Sequence, residues 1–184
     1  LFYNAFFGQH MLKKFSIILF IFICITLFFV STQNKVVPEF NVITASGETL
    51  STKNLKGQVY LINFWATDCP GCIEEMPGLI DTFNKYKNSN FNIIAVSMFY
   101  DPPSRVLSYV EKNKLPFPVA LDLNKNIMKN FGDIKLTPTT ILVNHRGQII
   151  NTIIGVLNFD ELHITIDKML LESKEQPLLI SQYP

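Results

Sequence analysis

"QVYLINFWATDCPGCIEEMP", residues 58–77, changes its hydrophobic pattern partway along. Gln58–Ala66 is an almost continuous apolar run, the pattern of a strand buried on both faces. From Pro70 onward Ile73, Met76, Leu79, Ile80 and Phe83 fall on one stripe at helical spacing. Pro77 interrupts that stripe and is expected to kink the helix. Cys69 and Cys72 therefore sit where a buried strand becomes a helix.

The rest of the chain extends this alternation. Upstream, "PEFNVITASGETLSTKNLKG" alternates at Phe40 and Val42 and turns at Ser46-Gly47, which predicts a small hairpin. Downstream, Phe91–Phe99 is a second buried strand, and "DPPSRVLSYVEKN" predicts a helix with Asp101 as its cap candidate and Val106, Leu107 and Val110 on one side. "FPVALD" and "TTILVN" are strand-like, Asn144–Gly147 is a turn into "QIINTIIG", and "FDELHITIDKMLLES" closes as an amphipathic helix. Strand–helix alternation followed by an antiparallel hairpin and a last helix predicts an α/β chain. Its mixed central sheet is expected to carry helices on both faces, with the small hairpin as an N-terminal extension.

The chain has 184 residues, 48% of them hydrophobic, and a formal net charge of +1. That length suits one domain plus an appendage, and a core of that size needs no disulfide brace. The near-neutral charge and the lack of a basic run give no footprint for nucleic acid. The apolar excess is concentrated in "FSIILFIFICITLFFV", residues 15–30, behind Lys13 and Lys14. As a helix this run spans roughly 24 Å, short of the ~30 Å hydrocarbon core but within reach of snorkelling lysines and a thinned bilayer. "STQNK" offers only a weak cleavage site after Val30, and bulky Ile23 precedes Cys24 within the run, so a retained anchor is expected rather than a cleaved signal or lipoprotein. The lysines would lie in the cytoplasm and the remainder outside. The expected organisation is thus an N-terminal extension with the anchor segment over 1–30, a linker over 31–37, the domain over 38–172 and a tail over 173–184.

Three chemistries fit a C-x-x-C pair. A structural disulfide across two residues closes too small a loop to stabilise much. A zinc site needs two further ligands, whereas the part beyond residue 30 has no third cysteine, and His145 and His163 fall on a turn and on the closing helix as expected surface residues. No metal and no other cofactor is therefore expected. A redox pair suits the position. A helix start offers unpaired N–H groups and a positive dipole end, and such sites lower a cysteine pKa from about 8.5 into a range of about 3.5–7.5. Pro70 suits the first helical position because its missing N–H has no helical partner there. Cys69 is then the nucleophile, and Cys72, one turn further in and more buried, the resolving thiol.

"NFWATDCPGCIEEMP", together with "PEFNV…SGETLSTKNLKG" upstream and "TPTTILVNHRGQII…G" downstream, resembles the TlpA/ResA-like, membrane-tethered thioredoxin-fold thiol–disulfide oxidoreductases over about Pro38 to Leu171. The C-P-x-C form is also similar to the cytochrome c maturation thioredoxins. The resemblance implies a thioredoxin-like fold, Cys69 attacking, Cys72 resolving through a Cys69–Cys72 disulfide, and Pro138 as a cis-proline facing the pair. Backbone groups of Thr137 would then bind an extended substrate strand beside the sulfurs. Trp65 would pack near the site, and Pro77 matches the family's helix kink.

Two positions vary from that pattern. Many thioredoxins bury an aspartate at the place of Asn63, and asparagine cannot take its proton-transfer role. Relatives often carry instead a glutamate three residues after the second cysteine, matched by Glu75. At that helical spacing Glu75 can act on Cys72 ionisation, although Glu74 and Glu75 also suit the dipole of a first turn. Asp68 stands where the family usually has tryptophan. Its charge opposes thiolate formation at Cys69 while the helix start favours it, which makes Asp68 a modest brake on Cys69 acidity and a bias toward a reductant.

Peroxidase chemistry on this fold requires a threonine and a proline where Ala66 and Ile62 stand, and copper-insertion relatives use a C-x-x-x-C spacing. The expected function is reduction of protein disulfides on the outer side of a bacterial cytoplasmic membrane. Electrons would come from a membrane thiol reductant and pass to oxidised proteins such as apocytochrome c. The same residues also fit a thiol oxidase or disulfide isomerase, and less well a non-enzymatic anchored binding module.

Overall fold

The computed structural model describes residues 19–24 and 35–180. Residues 19–24 form a helical stretch, α1, whose large apolar side chains and Cys24 are exposed. Among the described residues no helix is long and apolar enough to cross a membrane, and most of the expected 15–30 span lies outside them.

From Lys35 the chain forms one compact unit. Its order is β1 (Asn41–Ile43), β2 (Thr49–Ser51), a 3-10 turn (Thr52–Leu55), β3 (Val59–Trp65), α2 (Pro70–Tyr86), β4 (Phe91–Ser97), α3 (Pro103–Asn113), β5 (Val119–Leu121), α4 (Asn126–Asn130), β6 (Thr139–Val143), β7 (Ile149–Ile154) and α5 (Phe159–Ile180). The expected hairpin is β1–β2, turning through Gly47 at φ 84°. The main sheet has the order β5-β4-β3-β6-β7, with β3, β4 and β5 parallel and β6 and β7 antiparallel. This is the expected mixed sheet. Its parallel crossovers place the ends of β3, β4 and β5 together with the start of β6 and the end of β7.

Every residue of β3 is buried, as its apolar run requires. Val59, Leu61 and Trp65 pack on one face with Met76 and Leu79 of α2, Val106 of α3 and Leu162 and Ile166 of α5. Tyr60, Ile62 and Phe64 pack on the other with Ile127 and Met128 of α4 and with Val37, Phe40 and Leu55. Each face thus buries the β3 side chains that alternate toward it. The long helices share one face, and the short α4, the 3-10 turn and the N-terminal segment cover the other.

Three expectations meet a different local structure, while α2 continues past Pro77, which stands inside it. α5 continues through "KEQPLLI" to Ile180, inside the stretch expected as a tail. Lys35–Val37, expected as the end of a tether, lie against the 144–147 turn: Val36 bridges Gln148, the Val37 N–H donates to Gly147 O at 2.9 Å, and Val37 is buried. His163, expected as a solvated residue, is half-buried. Its Nε2 lies 2.9 Å from the Thr82 hydroxyl and its ring stacks edge-on against Tyr86. The Thr82 proton goes to Gly78 O at 2.7 Å, so Nε2 must be the donor to Thr82. Burial, followed by Lys85, lowers the His163 pKa from its ordinary value. His145 is half-buried.

Candidate active site

Cys69 caps the N-terminus of α2 with an extended backbone, and its sulfur accepts the Cys72 N–H at 3.2 Å. A donor aimed at Sγ from the first helical turn is the feature that stabilises a thiolate there. Cys69 is half-exposed, whereas Cys72 is completely buried among Trp65, Met76 and Val106. The two sulfurs form a disulfide, with Cα atoms 5.3 Å apart. Pro70 occupies the first helical position and is exposed, as is Asp68.

The approach to the pair is held by Asp101, a residue expected to cap the following helix. Its carboxylate instead crosses to the other loop, accepting the Thr67 N–H at 2.6 Å and the Thr67 hydroxyl at 2.7 Å. α3 begins after Pro102 without a side-chain cap. The Met98 N–H reaches Trp65 O at 2.9 Å and the Cys69 N–H reaches Ala66 O at 3.3 Å, so the loop from β3 to α2 is tied to the end of β4. Trp65 is fully buried, and its ring lies 5.2 Å from that of Tyr109.

A second loop faces the pair. The Thr137–Pro138 peptide is cis. Pro138 O accepts the Gly155 N–H at 2.8 Å, and the Thr139 hydroxyl donates back to Leu136 O at 2.7 Å. This loop lies directly over the helix start: a Cβ on Gly71 would stand 3.1 Å from Val156 Cγ2 and 3.6 Å from Pro138 Cδ. Gly71 therefore lets the C-P-G-C turn and the proline loop approach closely.

Glu75 lies one turn beyond Cys72 and is buried, whereas its neighbour Glu74 is exposed. Its Oε1 accepts the Asn63 amide at 2.7 Å and its Oε2 the Leu157 N–H at 3.3 Å. Burial pushes its carboxyl above the ordinary carboxylate range, with both donors pulling the other way. A carboxylate serving only the helix dipole would sit in solvent, as Glu74 does. The structure thus gathers Trp65, Asp68, Cys69, Pro70, Cys72 and Glu75 around one helix start, with Thr137 and Pro138 opposite. Asp101, Gly71 and Val156 had no signal in the sequence beyond an acid before two prolines, a glycine in the motif and an apolar residue after a strand.

The chain matches the Redoxin family model over residues 32–165. It is 36% identical over 109 residues to the thiol-disulfide oxidoreductase ResA of Halalkalibacterium halodurans, covering 59% of this chain and 61% of that protein. With the ResA of Bacillus thuringiensis subsp. konkukian it shares 33% identity over 135 residues, 73% of this chain and 77% of that one. The crystal structure of StoA from Bacillus subtilis superposes with a TM-score of 0.61 at 30% identity, covering 69% of this chain and 95% of that chain. With its thioredoxin-like sheet and a close cysteine pair at the head of α2, the chain belongs to the Redoxin family as a thiol–disulfide oxidoreductase of the ResA/StoA type.

Proposed function

We propose that the protein is a membrane-anchored reductase of protein disulfides whose domain works outside a bacterial cytoplasmic membrane, with Cys69 attacking and Cys72 resolving. The observation that carries these roles is the asymmetry of the two sulfurs: Cys69 is half-exposed with an N–H donated to it, and Cys72 is buried beneath it. The Cys69 thiolate attacks a target disulfide, forming a mixed disulfide and releasing one target thiolate, which takes a proton. Cys72 then gives its proton to Glu75 and attacks Cys69 Sγ. The Cys69–Cys72 bond forms, the mixed disulfide breaks and the second target thiolate leaves. Two electrons have passed to the target, and a membrane thiol reductant restores the pair.

The remaining residues serve this exchange. Thr137 and Pro138 present backbone to an extended target strand, Trp65 packs beneath the pair, Pro70 starts the helix without a wasted donor, and Asp68 restrains Cys69 acidity. Residues 15–30 are the anchor, and oxidised cysteine-containing proteins such as apocytochrome c are the targets. The sequence supports the anchor by its apolar run behind two lysines.

Replacing Cys72 by alanine should trap target proteins as mixed disulfides through Cys69, and recovering none would turn the reading toward a binding module. Acid quenching of cells followed by thiol trapping tests direction. A mostly reduced pair is expected, and a mostly oxidised pair with its electron donor intact would make the protein an oxidase or isomerase. Alkaline carbonate extraction should leave the protein in the membrane pellet; release into the supernatant would refute the anchor.

A further inference from the structure

Beneath the cysteines lies a polar group for which the exchange chemistry gives no role. Asn63, in the middle of β3, has no solvent exposure and stands opposite Thr140 of β6 in the sheet register. Its Nδ2 donates to Glu75 Oε1 at 2.7 Å and to Thr140 Oγ1 at 2.9 Å, so both amide protons are used. Its Oδ1 is buried and has no hydrogen-bond partner among the described residues. Leaving such an oxygen unpaired lowers stability, and an apolar side chain would avoid the loss. What the amide contributes in return is a fixed N–H aimed at a buried carboxyl.

We propose that Asn63 is a positioning residue that sets the proton affinity of Glu75, with Thr140 fixing the direction of its amide. The inference rests on the proposed part of Glu75 as the group that takes the Cys72 proton. The surroundings of Glu75 make Asn63 its main adjustable partner. On α2 the titratable neighbour facing the same core is Cys72, whereas Glu74 points to solvent. β3 and β6 contribute the neutral Asn63 and Thr140, and the segment before α5 contributes only the Leu157 backbone. Among the described residues no charged side chain acts on Glu75; burial opposes its ionisation, and the Asn63 and Leu157 donors favour it. Of those two donors only the amide belongs to a side chain. Without it the carboxylate form loses a charge-assisted hydrogen bond in an apolar setting, while the protonated form loses less.

The test is a pH titration of Glu75 in the reduced full-length protein in detergent, followed by NMR on carboxyl-labelled glutamate and assigned with Glu75→Gln. In parallel, the pH profile of disulfide reduction is measured with insulin as the probe. Asn63→Leu should raise the Glu75 midpoint by about one unit, a tenfold gain in proton affinity. Asn63→Asp keeps the shape and places a second carboxyl against the first, so one midpoint of the pair should rise at least as far. If Asn63→Leu does not fold, the isosteric Asn63→Asp decides. An unchanged Glu75 midpoint in the folded variants overturns the proposal and leaves the oxidoreductase reading untouched. The acid limb of insulin reduction should move with the midpoint. A moved midpoint with an unmoved limb supports Asn63 as proposed and removes Glu75 from proton transfer.

Discussion

Replacing Asp101 by alanine should loosen the loop that carries the cysteines, and the size of the effect follows from two hydrogen bonds. Asp101 is 2% exposed, and its carboxylate takes the Thr67 N–H at 2.6 Å and the Thr67 hydroxyl at 2.7 Å. Hydrogen bonds to a charged acceptor contribute about 1.5–3 kcal/mol each, and two that share one carboxylate do not add fully. Removal also leaves the Thr67 N–H without a partner. The expected loss is about 3 kcal/mol, or roughly 6–12 °C in Tm for a chain of this length. Thr67→Val removes only the hydroxyl bond and should cost about 1.5 kcal/mol. Asp101→Asn keeps an acceptor for the N–H and turns its amide toward the hydroxyl, so it should lose only the charge assistance, about 1 kcal/mol. Equilibrium urea unfolding of the four proteins, with the double variant, closes the cycle. A loss below about 1 kcal/mol for Asp101→Ala, or full additivity with Thr67→Val, would refute the tie between these loops.

Three further outcomes are expected. Gly78→Ala would drive a Cβ into the Phe159 ring, 2.8 Å from its Cδ2, so overpacking of about 1–3 kcal/mol should outweigh the roughly 1 kcal/mol gained in helix propensity. Urea midpoints should show a net loss that Phe159→Leu relieves, and a stabilised single variant would contradict the packing. The His163 pKa is lowered from its ordinary 6.5, chiefly by burial, so the unfolded chain takes up this proton first as pH falls. Its contribution to stability is full above about pH 6.5 and is lost as pH falls through the folded-state value. The urea midpoint of the wild type should therefore drop more between pH 6.5 and 5 than that of His163→Gln, and equal slopes would refute the assignment. Asp68→Trp should lower the Cys69 pKa, read from the pH dependence of its alkylation rate, and an unchanged value would remove Asp68 as a brake.

The parts of this molecule that were legible in the sequence are those where neighbouring signals agree. The apolar run of β3, the cysteine pair and the stripe of α2 lie consecutively, and each restricts what the next can be. Misread residues are those whose partners arrive from elsewhere in the chain. An aspartate before two prolines is an equally good helix cap, and what turns Asp101 away is Thr67, 34 residues earlier, brought alongside by the parallel pairing of β3 and β4. His163 looks like a polar residue on an amphipathic helix. Thr82 and Tyr86 of α2 meet it because Gly78 lets the Phe159 ring at the head of α5 come close. Glu75 had two readings in a first helical turn, and they separate only once the Asn63 amide and the Leu157 N–H are seen to enclose it.

Asn63 is the least legible residue of the site, because in the sequence it registers only as the absence of an acid. In the fold it stands across from Thr140 and donates to Glu75, so the position still touches the buried acid although it cannot itself ionise. A buried acid in the strand and a buried acid on the helix cannot both be charged at that separation. With the carboxyl on α2, the strand needs a neutral donor, and an asparagine supplies one at nearly the same size. The absence of an aspartate at position 63 and the burial of Glu75 are thus two sides of one arrangement, and a variant that carries Asn63→Asp with Glu75→Gln is the physical test of whether the acid can be moved back.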